Sequence, residues 1–458
     1  MRFTALLLCM LMLGAVVSCA GAAGDDPTVA TTSGQTDADR FRGEALSVLS
    51  ADTAYASDGT GSAVSRALYS LDGLIRDALG ITVAYEMRSA DLIEDRAALL
   101  DAVVHDAESG VGQYDLFRLP ALTATEAAIC GAFMELPNAT EGDGISFATL
   151  SGKRMLAFGA FDPDLIETVP CIAVSGSLLR AAGIASDALL QMALEGGFTL
   201  EAMMRLGAER EVIPFAATEA QAITLYYGAG FGAVDTAWRA VVHADLTAGE
   251  PTAFFSVFSD LMRQNGCPEN TLGVTLFSEG RLLMMPIGLS SLSLLTDAAQ
   301  TGAEILLLPL PKRDAGQSEY RFPLMWNAPT YAVSSVTERG ALSASVLRFA
   351  AEHGTDTVVA AFLETLCGTD SAENELRVAV FGAAVRGARY DLGYTASDLI
   401  GGEAEVLLKR CASGTISEVQ YAEAVRSLSD AIDALFGQSD GSNGAESAES
   451  DANSSMSP

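Results

Sequence analysis

Five cysteines, three histidines and many carboxylates are the side chains beyond the N-terminal segment that could support covalent, metal or acid–base chemistry. Their spacing argues against all three. Cys130, Cys171, Cys267, Cys367 and Cys411 lie far apart with no CxxC pair, so metal-ligand spacing is absent. Cys130 and Cys171 sit in apolar surroundings (AAICGAF and TVPCIAV) and read as buried small hydrophobes, while a single disulfide involving Cys267 stays open. His105, His243 and His353 are isolated from one another and read as surface or satisfied residues. The chain contains no G-x-S-x-G elbow, H-E-x-x-H helix, P-loop or strand-borne G-x-G-x-x-G. The run Gly228-Ala229-Gly230-Phe231-Gly232 lacks the following Lys or Thr that a phosphate cradle uses. A glycosidase would need two carboxylates at a defined separation, and among 59 acidic residues chance pairs are unavoidable. No catalytic residue, metal or cofactor is assigned, and an enzyme is not expected.

What remains is binding, and charge narrows it. The formal net charge is −32, with 59 Asp and Glu against 27 Lys and Arg. Such a surface repels phosphate backbones and anionic headgroups, which excludes nucleic acid and a polybasic membrane patch. Its plain reading is a solvated extracellular surface. The N-terminus agrees. Arg2 precedes an apolar run from Leu6 to Val17 that is too short to span a bilayer and reads as a secretory signal. The closing Val16-Val17-Ser18-Cys19 resembles the lipobox of bacterial lipoproteins, which implies acylation of Cys19. An ordinary cut after Ala20 or Ala23 is the alternative. A Gly/Ala/Thr/Asp-rich tether follows (20–43), and 437–458 reads as a disordered acidic tail.

The elements between these ends are strand–helix units. The stretch 45–50 is a short apolar strand, and Val64, Leu68, Leu71, Ile75 and Leu79 mark one buried helix face. A strand at 81–86, a helix at 92–104 and a strand at 114–120 follow. Thr123 with Glu126 reads as a capping box opening the next helix. Strand-like 153–158 and 169–174 come next, then a helix from Ser177 stopped by Gly183 and another capped by Thr199. The stretch 220–240 is rich in Gly and aromatics, and 252–265 is strongly amphipathic. This alternation implies a parallel sheet with helices on both faces, and nearly 400 residues of it imply two domains.

Several spaced segments together resemble the extracellular solute-binding proteins of ABC importers, in the maltodextrin-type class. They are Tyr114-Asp115-Leu116 with Phe133-Met134-Glu135-Leu136, the second-lobe opening at 169–183, and the helix at 198–206. Further on come Phe277-Ser278-Glu279-Gly280-Arg281-Leu282-Leu283-Met284 ("F-x-x-G-r-a-x-m"), Leu307-Leu308-Pro309-Leu310-Pro311-Lys312 ("l-P-l-P-k"), Tyr331-Ala332-Val333, and Arg389 to Tyr394. They span about 110 to 395 in the family's order. Two departures stand out: Ser175-Gly176 where the family carries Asn-Lys, and Phe198 where it carries Trp.

The resemblance implies a periplasmic-binding-protein-like type II α/β fold, two lobes with a hinge and an inter-lobe cleft. It assigns 44–165 and 276–328 to lobe 1, 168–272 and 331–436 to lobe 2, and the hinge to 163–169, 272–277 and 328–332. It implies a small polar solute, such as a sugar or oligosaccharide, with ABC permease subunits as partners and lipid-anchored, extracytoplasmic work as a monomer. A sensor or surface scaffold without transport is the alternative. Ligands of open α/β sheets bind at the carboxyl ends of strands, which makes Arg118, Phe158, Phe161, Asp162, Tyr226, Tyr227, Trp326 and Asn327 the expected cleft residues.

Overall fold

Ala45–Ala51 (β1) is followed by Ala63–Leu79 (α1), whose ends are written locally. Ser62 caps the helix by accepting the Ser65 N–H, and Gly80 closes it at φ 70°, a left-handed conformation that a side chain would strain. Between these caps Val64, Ala67, Leu71, Ile75 and Leu79 form the buried stripe. Each of the larger side chains contributes roughly 1.5–3 kcal/mol on leaving water. The computed structural model describes residues 42–442 except 54, 56–58, 138–141, 143, 207–211, 269, 293, 296–304 and 368–372. The signal, Cys19, nearly all of the tether and the tail beyond 442 therefore lie outside the described residues.

Two sheets organise the chain. The first contains β1, Thr82–Arg88 (β2), Leu116–Pro120 (β3), Ile145–Leu150 (β4), Lys153–Gly159 (β5) and a late strand. The second contains Pro170–Ser175 (β6), Ile213–Phe215 (β7), Leu282–Gly288 (β8) and Ile305–Leu308 (β9). The late strand is Pro329–Val333 (β10), which returns to the first sheet and gives the order β2-β1-β3-β10-β5-β4. The second sheet runs β9-β6-β8-β7. Both are mixed, not parallel as the strand–helix alternation implied. β10 lies antiparallel to β3 and β5, and β6 lies antiparallel to β8 and β9.

This topology corrects the lobe boundaries. Residues 276–328 were expected in lobe 1, yet Met284 faces Val174 and Leu307 faces Ala173 across β6. All six residues of β6 are buried, so both of its edges need partners, and the apolar runs 282–287 and 305–308 supply them. No crossing occurs at 272–277. Residues 331–436 were expected in lobe 2, but β10 belongs to the first sheet. Gly340–Cys367 (an α-helix of 28 residues) also begins in lobe 1. Its Leu342, Val346, Leu347 and Ala350 pack with Leu46, Val48, Leu71 and Ile75. Towards its end Phe362 meets Tyr55 and Glu364 pairs with Arg66, so the helix follows α1 of lobe 1. Its later residues Val358, Val359 and Phe362 join the larger core, with Val380 and Phe381 of the next helix. The chain thus changes lobe at 162–169, at 324–329 and beyond Glu364, before the helix Glu373–Val385 packs on lobe 2.

One capping expectation also fails. The helix after β3 is Ala121–Ile129 (α2), with Pro120 at its cap, so Thr123 and Thr125 lie inside it. Two long-range bonds start it early: Ala121 donates its N–H to the Ala328 carbonyl and Leu122 to that of Trp326, both at 2.9 Å.

Candidate functional site

A cleft of about 600 Å³ lies between the two lobes, at the first and second crossings. Lobe 1 contributes the ends of β1 (Asp52), β2 (Asp91) and β3 (Arg118 to Pro120). The helix Pro163–Glu167 (α3) adds Asp164 and Glu167 on the way to lobe 2. Lobe 2 answers with Gln221 and Thr224 of Glu219–Gly228 (α4), with Pro286 to Gly288 at the end of β8, with Ser290 and Ser291 beyond it, and with Tyr394. Trp326 and Asn327 sit where the second crossing passes the cleft.

Arg118 fixes the lobe 1 wall. Its Nε donates to Asp162 Oδ2 at 2.7 Å, Nη2 to Asp162 Oδ1 at 2.9 Å, and Nη1 to the Ala51 carbonyl at 3.2 Å. Nη2 also donates to Asp164, and the Tyr331 hydroxyl donates to Asp162 Oδ2 at 2.7 Å. Burial alone would lower the guanidinium pKa, but the Asp162 charge beside it holds it well above its ordinary value. Burial, with the Asp162 charge second, pushes the Asp164 carboxyl up. Arg118 is only 6% exposed, so this is a buried, bidentate pair and not a surface contact.

The lobe 2 wall is built from α4. Thr218 and Gln221 form a reciprocal capping box, and Gln221 Nε2 reaches the Pro286 carbonyl at 2.8 Å, tying the helix to β8. Tyr394 lies beside Thr224, with the two hydroxyls 3.4 Å apart, and donates to the Met325 sulfur at 3.3 Å. On the floor, the Trp326 main chain is held by α2 while its ring is 43% exposed. The Arg96 guanidinium stands 4.8 Å from the ring centroid.

The structure sorts the expected residues into three places. Arg118, Trp326 and Asn327 line the cleft. Phe161 and Asp162 instead face a second cavity of about 430 Å³ within lobe 1, with Tyr85 and Tyr331. Arg118 borders both cavities. Phe158, Tyr226 and Tyr227 are core residues. Phe158 is 1% exposed on β5, where the sheet covers it. Tyr226 stacks on Phe231 at 4.9 Å and meets Phe254 edge-on, because the helix Glu250–Gln264 (α5) packs over that side of α4. Tyr227 is buried against Tyr394 at 4.9 Å. Cys130 is exposed, contrary to its apolar context, because it ends α2, and Cys130, Cys171, Cys267 and Cys411 are free thiols. Gln221 and Thr224 were missed. Their signal was a polar pair one turn apart in the otherwise apolar run 220–228.

No protein-family model matches the chain, and no curated protein matches it. Solved structures do. The cyclic α-maltosyl-1,6-maltose binding protein of Arthrobacter globiformis superposes with a TM-score of 0.53 at 12% identity, over 86% of this chain and 99% of that one. The sugar-binding protein MalE of Xanthomonas citri gives 0.51 at 12% identity, over 86% and 98%. The likeness shows the fold: a periplasmic-binding-protein-like type II architecture of two α/β lobes.

Proposed function

We propose that this chain is a receptor that captures a small polar solute, a sugar or oligosaccharide, by closing its lobes, and hands it to the permease subunits of an ABC-type importer. The observation that carries the reading is the inter-lobe cleft with Trp326 exposed on its floor. An indole offers a flat apolar face to a pyranose ring, while Thr224, Ser290, Ser291 and Asn327 offer hydroxyl and amide partners around it. The two solved structures compared above are named for saccharides, one for a cyclic maltosyl-maltose and one for sugar.

The receptor works as a monomer outside the cytoplasmic membrane, tethered through an acylated Cys19. Among the described residues no helix is long and apolar enough to cross a membrane, and in this reading the acyl group on Cys19 supplies the attachment. A thermal-shift screen against saccharides, amino acids, peptides and polyamines tests the receptor reading, since a solute that binds only the folded state raises the midpoint. A raised midpoint with a saccharide is expected, and silence across all four classes overturns it. Processing tests the tether: Cys19→Ala should move the mature protein from the membrane to the soluble fraction, and a variant that stays membrane-bound refutes it.

A further inference from the structure

The ionisable groups at the cleft are unequal in sign. Asp52, Asp91, Asp164 and Glu167 line it, and Asp162 lies directly behind Arg118. Against these five carboxylates stand two guanidiniums, Arg118 and the Arg96 that stands against Trp326. Arg118 is already committed to Asp162 and Asp164. Among the described residues Glu167 receives a neutral side-chain partner, the Tyr55 hydroxyl at 2.6 Å. Asp52 and Asp91 are exposed and have no ion-pair partner among the described residues. The wall therefore presents three carboxylates with no ion-pair partner among the described residues, drawn from the ends of β1, β2 and α3.

Cleft closure makes this imbalance matter. In the open cleft, water and salt screen the three charges. Excluding water around them lowers the local dielectric, which raises both their desolvation cost and their mutual repulsion. A neutral solute leaves that cost standing, and an anionic solute adds to it. A cationic solute offsets it. The hydroxyls and the indole described above still favour a polyhydroxylated ring. Resting on the receptor reading, we propose that the cleft selects a polyhydroxylated solute bearing positive charge, an amine-bearing saccharide, over its neutral and acidic counterparts.

The test compares three saccharides of similar size by titration calorimetry on the full folded chain. They are fully deacetylated chitotriose, its tri-N-acetylated form and tri-galacturonate, in EDTA at mildly acidic pH where the amines are charged. The deacetylated form should bind about tenfold or more tighter than the acetylated one, and added salt should weaken it selectively. Asp52→Asn and Asp91→Asn alter exposed side chains and should fold normally while each reduces the preference several-fold. Glu167→Gln should do the same. Equal or tighter binding of the neutral or acidic trimer overturns the charge inference and leaves the receptor reading intact. Failure of the deacetylated trimer to bind also overturns it, as does tight binding of the acetylated trimer that appears only when calcium replaces EDTA. The receptor reading falls separately, only if the wider screen finds no solute at all.

Discussion

Replacing Arg118 with Met should be among the most destabilising single changes in lobe 1, because it removes one half of a buried charge pair. The guanidinium is 6% exposed and Asp162 is 2% exposed, and two hydrogen bonds join them at 2.7 and 2.9 Å. Met fills most of the volume, so the loss is electrostatic and not a cavity. Removing one partner of a buried pair typically costs about 3–5 kcal/mol, since the other charge stays in a low dielectric without compensation. Here Asp162 keeps the Tyr331 hydroxyl at 2.7 Å and the Asp164 N–H at 3.0 Å, which places the expectation near the lower end, about 3 kcal/mol. Arg118→Lys keeps the charge but loses the planar fork, and should recover less than half of the loss. Urea unfolding followed by far-UV circular dichroism reads these values, with the slope checked for constancy. The double variant Arg118→Met/Asp162→Asn closes a cycle whose coupling should be about 2 kcal/mol. A cost below about 1 kcal/mol for Arg118→Met, or no coupling, would mean that solvent reaches the pair and that the rigid lobe 1 wall is wrong.

Three further outcomes follow from the packing. Burial, opposed by N–H bonds from Ala233, Val234 and Gly393, raises the Asp391 carboxyl to about 6. Its contribution to stability is therefore full below the unfolded value of about 3.9 and is lost as pH rises through about 6. Urea midpoints at several pH values should show the wild type losing about 2–3 kcal/mol relative to Asp391→Asn between pH 4 and 7, and parallel curves would refute this. Tyr226→Ala opens a hole in the cluster with Phe231, Phe254 and Phe255, so it should cost about 3–5 kcal/mol while leaving the affinity of the folded protein unchanged. Trp326→Ala should reverse that pattern. The ring is 43% exposed, so melting shifts little, while a solute found by the thermal-shift screen loses at least about tenfold in affinity, or about 2 kcal/mol as for a central aromatic. In a Trp238→Phe background, Trp326 is the sole tryptophan and its fluorescence should report the same binding event.

Local grammar made the elements legible but not their allocation. The stripe Val64, Leu71, Ile75, Leu79 needs only helical periodicity, and α1 is found where it places it. Thr199 likewise caps its helix by accepting the Ala202 N–H at 3.2 Å. The assignment of 282–288 and 305–308 is different in kind. A buried apolar strand carries no mark of which sheet it joins. Its address is set by the unpaired edges of β6, more than a hundred residues away. Thr123 failed as a cap for a related reason. Its local signal was sound, but backbone bonds from 326 and 328 had already started the helix at Ala121.

The site divides along the same line. Trp326 stands out because a large aromatic beside Asn327, within a turn before a strand, has nothing local to bury it. Tyr226 and Tyr227 gave the same cue in a Gly-rich stretch, and only α5 and Tyr394 decide that both are covered. The carboxylates are the extreme case. Among 59 acidic residues nothing in composition separates Asp52, Asp91 and Glu167 from the rest. They come together because β1, β2 and α3 all end at the cleft, which is a property of topology and not of any one segment. An acidic surface and an acidic cleft are therefore separate facts. Neutralising carboxylates far from the cleft, such as Glu418 and Asp433, should leave solute preference unchanged, whereas neutralising Asp52, Asp91 or Glu167 should alter it. Because a distant surface charge acts through about 10 Å or less of ionic solution, the two sets are distinguishable at ordinary salt.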